Sequence, residues 1–191
     1  MYTQLRLVRI RTARERTDPV AVLDISPAHT VHQDPRSFRD ALGRYATGVA
    51  VVAALTPEGP VGMAVNSFTS VSLDPPLIAF CPMRTSRSWA QMRSIGSFSV
   101  SVLRDVHEDA ARLLSSKSAD KFSAHDWRPG PSGHPVLADA LVWFDTVIET
   151  VTDGGDHEVV LARVNGWSDP SNDAPLVFFG GQYRSLEAPI G

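Results

Sequence analysis

With 191 residues, 43% hydrophobic and 20% charged, the chain has enough apolar content for one sizeable core and shows no interdomain linker. Its net charge of -3 gives no global basis for binding nucleic acid or an anionic membrane, and no apolar run reaches the roughly 20 residues of a membrane span. Cys81 is the only cysteine, which excludes an internal disulfide and a multi-cysteine zinc site and fits a reducing cytoplasmic setting.

Residues 1–33 read as a basic and polar N-terminal arm. Arg6, Arg9, Arg11, Arg14 and Arg16, set against Glu15 and Asp18, give the first 18 residues +3 and leave -6 on the rest. No uninterrupted apolar segment follows, so the arm does not read as a secretory signal. His29 and His32 stand three apart, a spacing metals use, but a polar tail explains them better and no metal is expected.

Residues 34–191 read as a single folded domain. Asp34-Pro35 suits a helix start, and Phe38, Ala41, Leu42 and Tyr45 follow as one apolar stripe, with Gly48 as the expected stop. Residues 49–55 are continuously apolar and predict a buried strand, turned back by Thr56-Pro57-Glu58-Gly59 into a hairpin partner over residues 61–73. That partner lies in the stretch 62–76, G-M-A-V-N-S-F-T-S-V-S-L-D-P-P, where Asn66-Ser67 and Thr69-Ser70 put polar groups on both faces. Such a strand is either an ordinary polar edge or a wall for a flat polar aromatic ligand, met by backbone groups and short hydroxyls.

Residues 77–81 predict another buried strand, in which Cys81 reads as a small core residue. Ser86 is placed to cap a short helix carrying Trp89, Met92 and Ile95 and closing at Gly96. Hydroxyls and two arginines, Arg84 and Arg87, at a helix start make an anion site or plain capping. Phe98, Val100 and Val102 alternate with Ser97, Ser99 and Ser101 as in a half-buried strand. Asp105 and Glu108 predict a capping box for a helix through Leu114. His134, between Gly133 and Pro135, reads as a turn residue. A long strand over residues 141–150 turns through Asp153-Gly154-Gly155-Asp156 and returns over residues 159–164. His157 lies beside Asp156, which can orient an imidazole, although a surface histidine without a task is the simpler reading of these residues alone. A last strand, residues 176–179, precedes Gly180-Gly181 and Tyr183.

The tally is about seven strands with two or three short helices and no strand–helix–strand rhythm. The predicted class is mainly β, an antiparallel barrel closed or nearly so, which removes sheet edges. Neither G-x-G-x-x-G, G-x-x-x-x-G-K-[ST] nor G-x-S-x-G occurs, so any nucleotide is held by another device.

Taken in order, A-T-G-V (46–49), the 62–76 stretch, T-S-R-S (85–88), K-F (121–122), G-D-H (155–157) and P-L-V-F-F-G-G-Q-Y (175–183) resemble the flavin reductase-like family over about residues 34–186. The resemblance implies an FMN-binding split barrel with Greek-key strands, a homodimer, and the supply of reduced FAD or FMN to a flavin-dependent monooxygenase, with NADH favoured over NADPH as donor. It places the ring system against Met63, Ala64, Val65, Asn66, Ser67, Phe68, Thr69 and Ser70. Ribityl and phosphate fall near Thr85, Ser86, Arg87 and Ser88. Ala46, Thr47, Gly48 and Val49 line another side, and Lys121, Phe122 and Tyr183 lie close by. Gly155, Asp156 and His157 are associated with the nicotinamide. Ala64 and Ser88 stand where the family often has Thr, and Ala162 where Gly is frequent. The implied reaction is hydride transfer between two bound rings, with His157 positioning the nicotinamide and no certain catalytic acid or base. A flavin carrier without turnover and a flavin-dependent oxidase are the alternatives.

Overall fold

Why residues 50–54 are apolar without interruption is evident from their surroundings, because both faces of that strand are covered. The computed structural model describes residues 34–118 and 120–186; the basic arm with His29 and His32 lies outside them. Helix α1 (Pro35–Leu42) is followed by β1 (Thr47–Gly48), β2 (Ala50–Thr56), β3 (Gly59–Val65), β4 (Thr69–Leu73) and β5 (Pro76–Phe80). Helix α2 (Arg87–Ile95), β6 (Ser97–Val102) and α3 (Glu108–Ser115) come next. Then follow β7 (Trp127–Pro129), β8 (Pro135–Leu137), β9 (Val142–Gly154), β10 (His157–Trp167), β11 (Leu176–Phe179) and β12 (Gln182–Ser185).

Seven strands form one antiparallel sheet in the order β3-β2-β6-β9-β10-β5-β4. Its two edges, β3 and β4, are consecutive in the chain. Val65 and Thr69 are four residues apart and so within about 14 Å of each other. The sheet therefore curls until its edges nearly meet without pairing, which makes an antiparallel split barrel. Ala50, Val52 and Ala54 point inward to Phe80, Trp89, Met92, Phe98 and Val160. Val49, Val51 and Ala53 point outward and are covered by Leu103, Ala111, Leu114, Leu137 and Leu176.

Five sequence expectations change here. The stretch 62–76 is not one hairpin partner: β3 pairs with β2, whereas β4 crosses to the other edge and pairs with β5. The break is held by Ser67, whose Oγ accepts the Cys81 N–H at 2.9 Å. The first helix stops at Gly43, whose N–H donates to the Arg39 carbonyl at 2.9 Å, and Gly48 belongs to β1. The Asp105–Glu108 capping box is replaced by a 3-10 turn over Asp105–His107, in which His107 Nδ1 accepts the Arg104 N–H at 3.1 Å. Ser99 and Ser101 are buried beneath β8 instead of facing solvent: Ser99 Oγ donates to the Pro135 carbonyl and Ser101 Oγ accepts the Leu137 N–H. His134 is buried, its Nδ1 accepting the Leu55 N–H at 3.1 Å and its Nε2 bonding Ser97 Oγ at 2.8 Å.

His107 and His134 share one electrostatic consequence. Each spends Nδ1 as an acceptor, which only the neutral ring can do. Burial pushes both pKa values down, against the opposing pull of Asp139 on His107 and of Asp145 on His134. The folded pKa thus lies below the unfolded value of about 6.5. The unfolded chain takes up the protons first, so stability is full above about pH 6.5 and falls as pH drops below it, by up to ~1.4 kcal/mol per unit for each ring. Thermal melts between pH 5 and 8 should show Tm declining on the acid side; a level Tm would refute the neutral pair.

Candidate functional site

Among the described residues no strand pairs with the outer edge of β3, so backbone groups of residues 63–65 and of the bend at Asn66 and Ser67 lie at a free sheet edge. They form the floor of a groove of about 820 Å³. Helices α2 and α3 both pack against β3, and the groove lies where the start of α2 and the end of α3 converge on it.

The α2 wall is a helix start bearing hydroxyls and an arginine. Ser86 Oγ accepts the Trp89 N–H at 3.2 Å, which caps the helix, and Gly96 closes it in the left-handed region at φ 80°. The first N–H groups of a helix, here those of Arg87 and Ser88, have no intrahelical acceptor and carry the positive end of the dipole. Thr85, Ser86, Arg87 and Ser88 all line the groove. The helix is anchored from below by Glu158, which accepts from Trp89 Nε1 at 2.6 Å and from Arg93 at 2.5 Å.

The opposite wall is the end of α3 and the residues just after it, residues 114–118, together with Lys121. Lys121 Nζ donates to the Leu114 carbonyl at 3.1 Å and to the Gly62 carbonyl at 3.4 Å. An ammonium has three donors, and two of them meet these carbonyls among the described residues. Burial pushes its pKa down.

The β9–β10 hairpin closes the groove. Its two-residue turn is Gly155-Asp156, and Gly155 sits at φ 83°, a region that favours glycine. His157 follows, lining the groove, with Nδ1 bonded to Asp156 Oδ1 at 2.7 Å. The hydrogen bond from His157 holds the Asp156 carboxyl below the usual range, so the carboxylate accepts and Nδ1 carries the proton. Nε2 is then the atom left for a ligand.

A smaller recess of about 140 Å³ shares Ala64, Val65, Asn66 and Ser115 with the groove, and Val49, Phe178 and Tyr183 complete it. Phe178 and Tyr183 meet edge-to-face at 5.4 Å.

Of the residues the sequence singled out, Met63, Ala64, Val65, Asn66, Ser67, Thr85, Ser86, Arg87, Ser88, Lys121 and His157 come together in the main groove, and Val49 and Tyr183 in the recess. The others lie elsewhere in the single chain. Phe68 packs into the barrel against Phe144, centroids 5.9 Å apart. Thr69 and Ser70 are exposed on β4. Phe122 stacks edge-on against Trp127 at 4.9 Å. Ala46, Thr47 and Gly48 lead into and form β1, and Gly155 and Asp156 form the hairpin tip. Sequence reasoning missed Cys81, Pro82, Met83, Phe178 and residues 114–118 as lining. The S-S-K-S run at 115–118 has the same hydroxyl-plus-cation character as T-S-R-S at 85–88, a signal that was available. Burial raises the Cys81 pKa, which keeps it a thiol.

Comparison with known proteins matches residues 42–187 to the flavin reductase like domain model. The reductase subunit HsaB of a flavin-dependent monooxygenase from Rhodococcus jostii is 42% identical over 154 residues, covering 81% of this chain and 79% of that protein. The NADH-dependent flavin reductase StyB of Pseudomonas fluorescens is 35% identical, covering 82% of this chain and 93% of the relative. Among solved structures, a Streptomyces globisporus NADH:FAD oxidoreductase in complex with NAD and FAD fragments superposes with a TM-score of 0.80. It is 34% identical, with 86% of this chain and 99% of that one covered.

Proposed function

The chain belongs to the flavin reductase-like family, and on that premise we propose that its main groove holds a flavin and the nicotinamide of NADH side by side. It is an NADH-dependent flavin reductase that provides reduced flavin to a monooxygenase component. The observation that carries the site reading is the convergence, in one groove, of the unpaired β3 edge, the uncapped N–H groups of α2 and the His157 hairpin.

Each part suits a part of the flavin. Free backbone groups at residues 64–66 and the Asn66 amide match the polar edge of the ring system. The first N–H groups of α2, with Ser86, Arg87 and Ser88, match a phosphate. Lys121 offers its remaining donor toward the same ligand. Held there by these residues, NADH and a flavin would supply hydride-transfer chemistry between their two rings. The chain's own task is to hold two rings at reacting distance and exclude water. His157 Nε2 docks the nicotinamide half while Asp156 sets the ring's orientation. Ser67 acts through the Cys81 N–H to keep the bend in place, and its grip on the flavin is loose enough for the product to leave.

A homodimer completes this reading. Phe38 and Leu42 leave the apolar stripe of α1 in solvent, Tyr45 just past the helix is exposed as well, and so are Val71 and Leu73 on the edge strand β4. A second copy covering these faces brings Thr69 and Ser70 to a subunit boundary. Among the described residues no helix is long and apolar enough to cross a membrane, and the proposed setting is the cytoplasm.

The test is NADH oxidation by the purified protein with added FAD or FMN, alongside light scattering for mass. Flavin-dependent consumption of NADH and a mass of two chains are expected. A folded protein that binds flavin yet never oxidises NADH would remove the catalytic reading, and a single-chain mass would remove the dimer.

A further inference from the structure

Arg84 precedes the phosphate-binding segment but does not point into the groove. Its Nε donates to the His157 carbonyl at 3.2 Å, and its Nη2 pairs with Asp153 Oδ1 at 2.6 Å. Its backbone N–H donates to the Asp156 carbonyl at 3.1 Å. One residue therefore holds the hairpin at Asp153, Asp156 and His157. Its neighbours add to this: Met83 forms a β-bridge with His157, and the Glu158 N–H donates to the Pro82 carbonyl at 3.0 Å. Asp153 also accepts the Gly155 N–H at 2.8 Å, so the same carboxylate shapes the turn and receives the guanidinium. The Gly155 N–H and Arg84 together hold Asp153 below the usual carboxylate range.

We propose that Arg84 is a positioning residue for hydride transfer, locking the His157 hairpin to the segment 85–88 so that nicotinamide and flavin are presented in one register. The inference rests on the reading that His157 docks the nicotinamide. Only the Met83 bridge and the Pro82 carbonyl back the end of this hairpin beyond β5, so the Arg84 side chain adds the remaining hold on its tip, and an angstrom of misplacement between reacting groups can cost about 100-fold in rate. Arg84 is already paired with Asp153, so its effect comes through geometry and not through a free charge offered to the ligand. An exposed ion pair contributes little to folding, so removing this one should shift activity far more than stability.

The experiment compares Arg84→Ala, Arg84→Lys, His157→Ala and the Arg84→Ala/His157→Ala double variant in the full chain. The readouts are KM for NADH, kcat, Kd for oxidised flavin and Tm. Arg84→Ala should raise KM for NADH about tenfold and lower kcat as well, with flavin Kd within about twofold and Tm within about 2 °C of wild type; an unchanged kcat would remove the positioning role. Arg84→Lys should fall between, because lysine keeps the charge near Asp153 but has no Nε–H to give the His157 carbonyl. The double variant should match His157→Ala alone, since Arg84 acts through that residue. Multiplying effects in the double variant, full rescue by lysine, or parallel losses of Tm and flavin affinity in Arg84→Ala would overturn the proposal. If His157→Ala raises KM and Arg84→Ala does not, the clamp falls while the docking role stands. If His157→Ala itself leaves KM unchanged, both fall.

Discussion

Gly62→Val should cost the fold about 3 kcal/mol or more, seen as a Tm lower by roughly 6–12 °C and an earlier denaturant midpoint. A Cβ at this position would stand 2.9 Å from Phe122 Cζ, 3.1 Å from the Val52 carbonyl oxygen and 3.2 Å from Leu114 Cδ2. None of the three can yield easily. The Phe122 ring is wedged against Trp127, the Val52 carbonyl lies in β2 directly across from this part of β3, and Leu114 is fully buried. Even alanine forces a shift, and valine adds two methyl groups to a space already filled. The site would feel the change too, because Lys121 donates to the Gly62 carbonyl and is the immediate neighbour of Phe122. Gly62→Ala, the milder change, should therefore weaken flavin binding several-fold in a fluorescence titration even where it still folds. A valine variant as stable as wild type would show that Phe122 does not pack over β3.

What the residues disclosed in advance was mostly local. The Ser86 cap, the Gly96 stop and the turn after β9 depend on contacts within four residues; the first two stand where their signatures put them, and the turn expected over 153–156 tightens to Gly155-Asp156 while Asp153 and Gly154 extend β9. The polar character of both faces around Asn66 and Thr69 was also visible, and it does mark the groove floor at Asn66. The break between β3 and β4 was not visible, because no proline or glycine produces it. It depends on a hydroxyl meeting the end of β5, fourteen residues away. Ser99 and Ser101 mislead for the same reason. A serine every second residue reads as a solvent face unless β8, some 36 residues later, supplies its partners. At residues 105–108 the local signature was present but lost to an imidazole that binds the Arg104 N–H better placed for it. The groove wall at 115–118 has a readable composition, yet only the curl of the sheet brings the end of α3 opposite the start of α2.

Glu158→Ala should lower stability by about 2–4 kcal/mol and raise the Kd for oxidised flavin about tenfold. Period-2 alternation on β10 sends His157 to the groove and Glu158 inward, where its carboxylate meets Trp89 Nε1 and Arg93. Trp89 is 2% exposed, so truncating Glu158 leaves an indole N–H without an acceptor in a dry site, at about 1–3 kcal/mol. The lost packing of the side chain adds the remainder. Helix α2 hangs from this point, and the groove-facing residues 85–88 are its first turn and the residues just before it. With the anchor gone the helix can slide on the barrel core, and the N–H groups that face the phosphate move with it. Glu158→Gln separates the two contributions. Its amide oxygen can still accept from Trp89, while the charge toward Arg93, whose side chain is 54% exposed, is lost. That exposed half is worth little. The glutamine variant should therefore keep most of the stability and most of the flavin affinity, and denaturation curves with flavin titrations on both variants measure this. Equal losses in the two variants would mean that the ion pair, and not the buried indole bond, holds α2 in place.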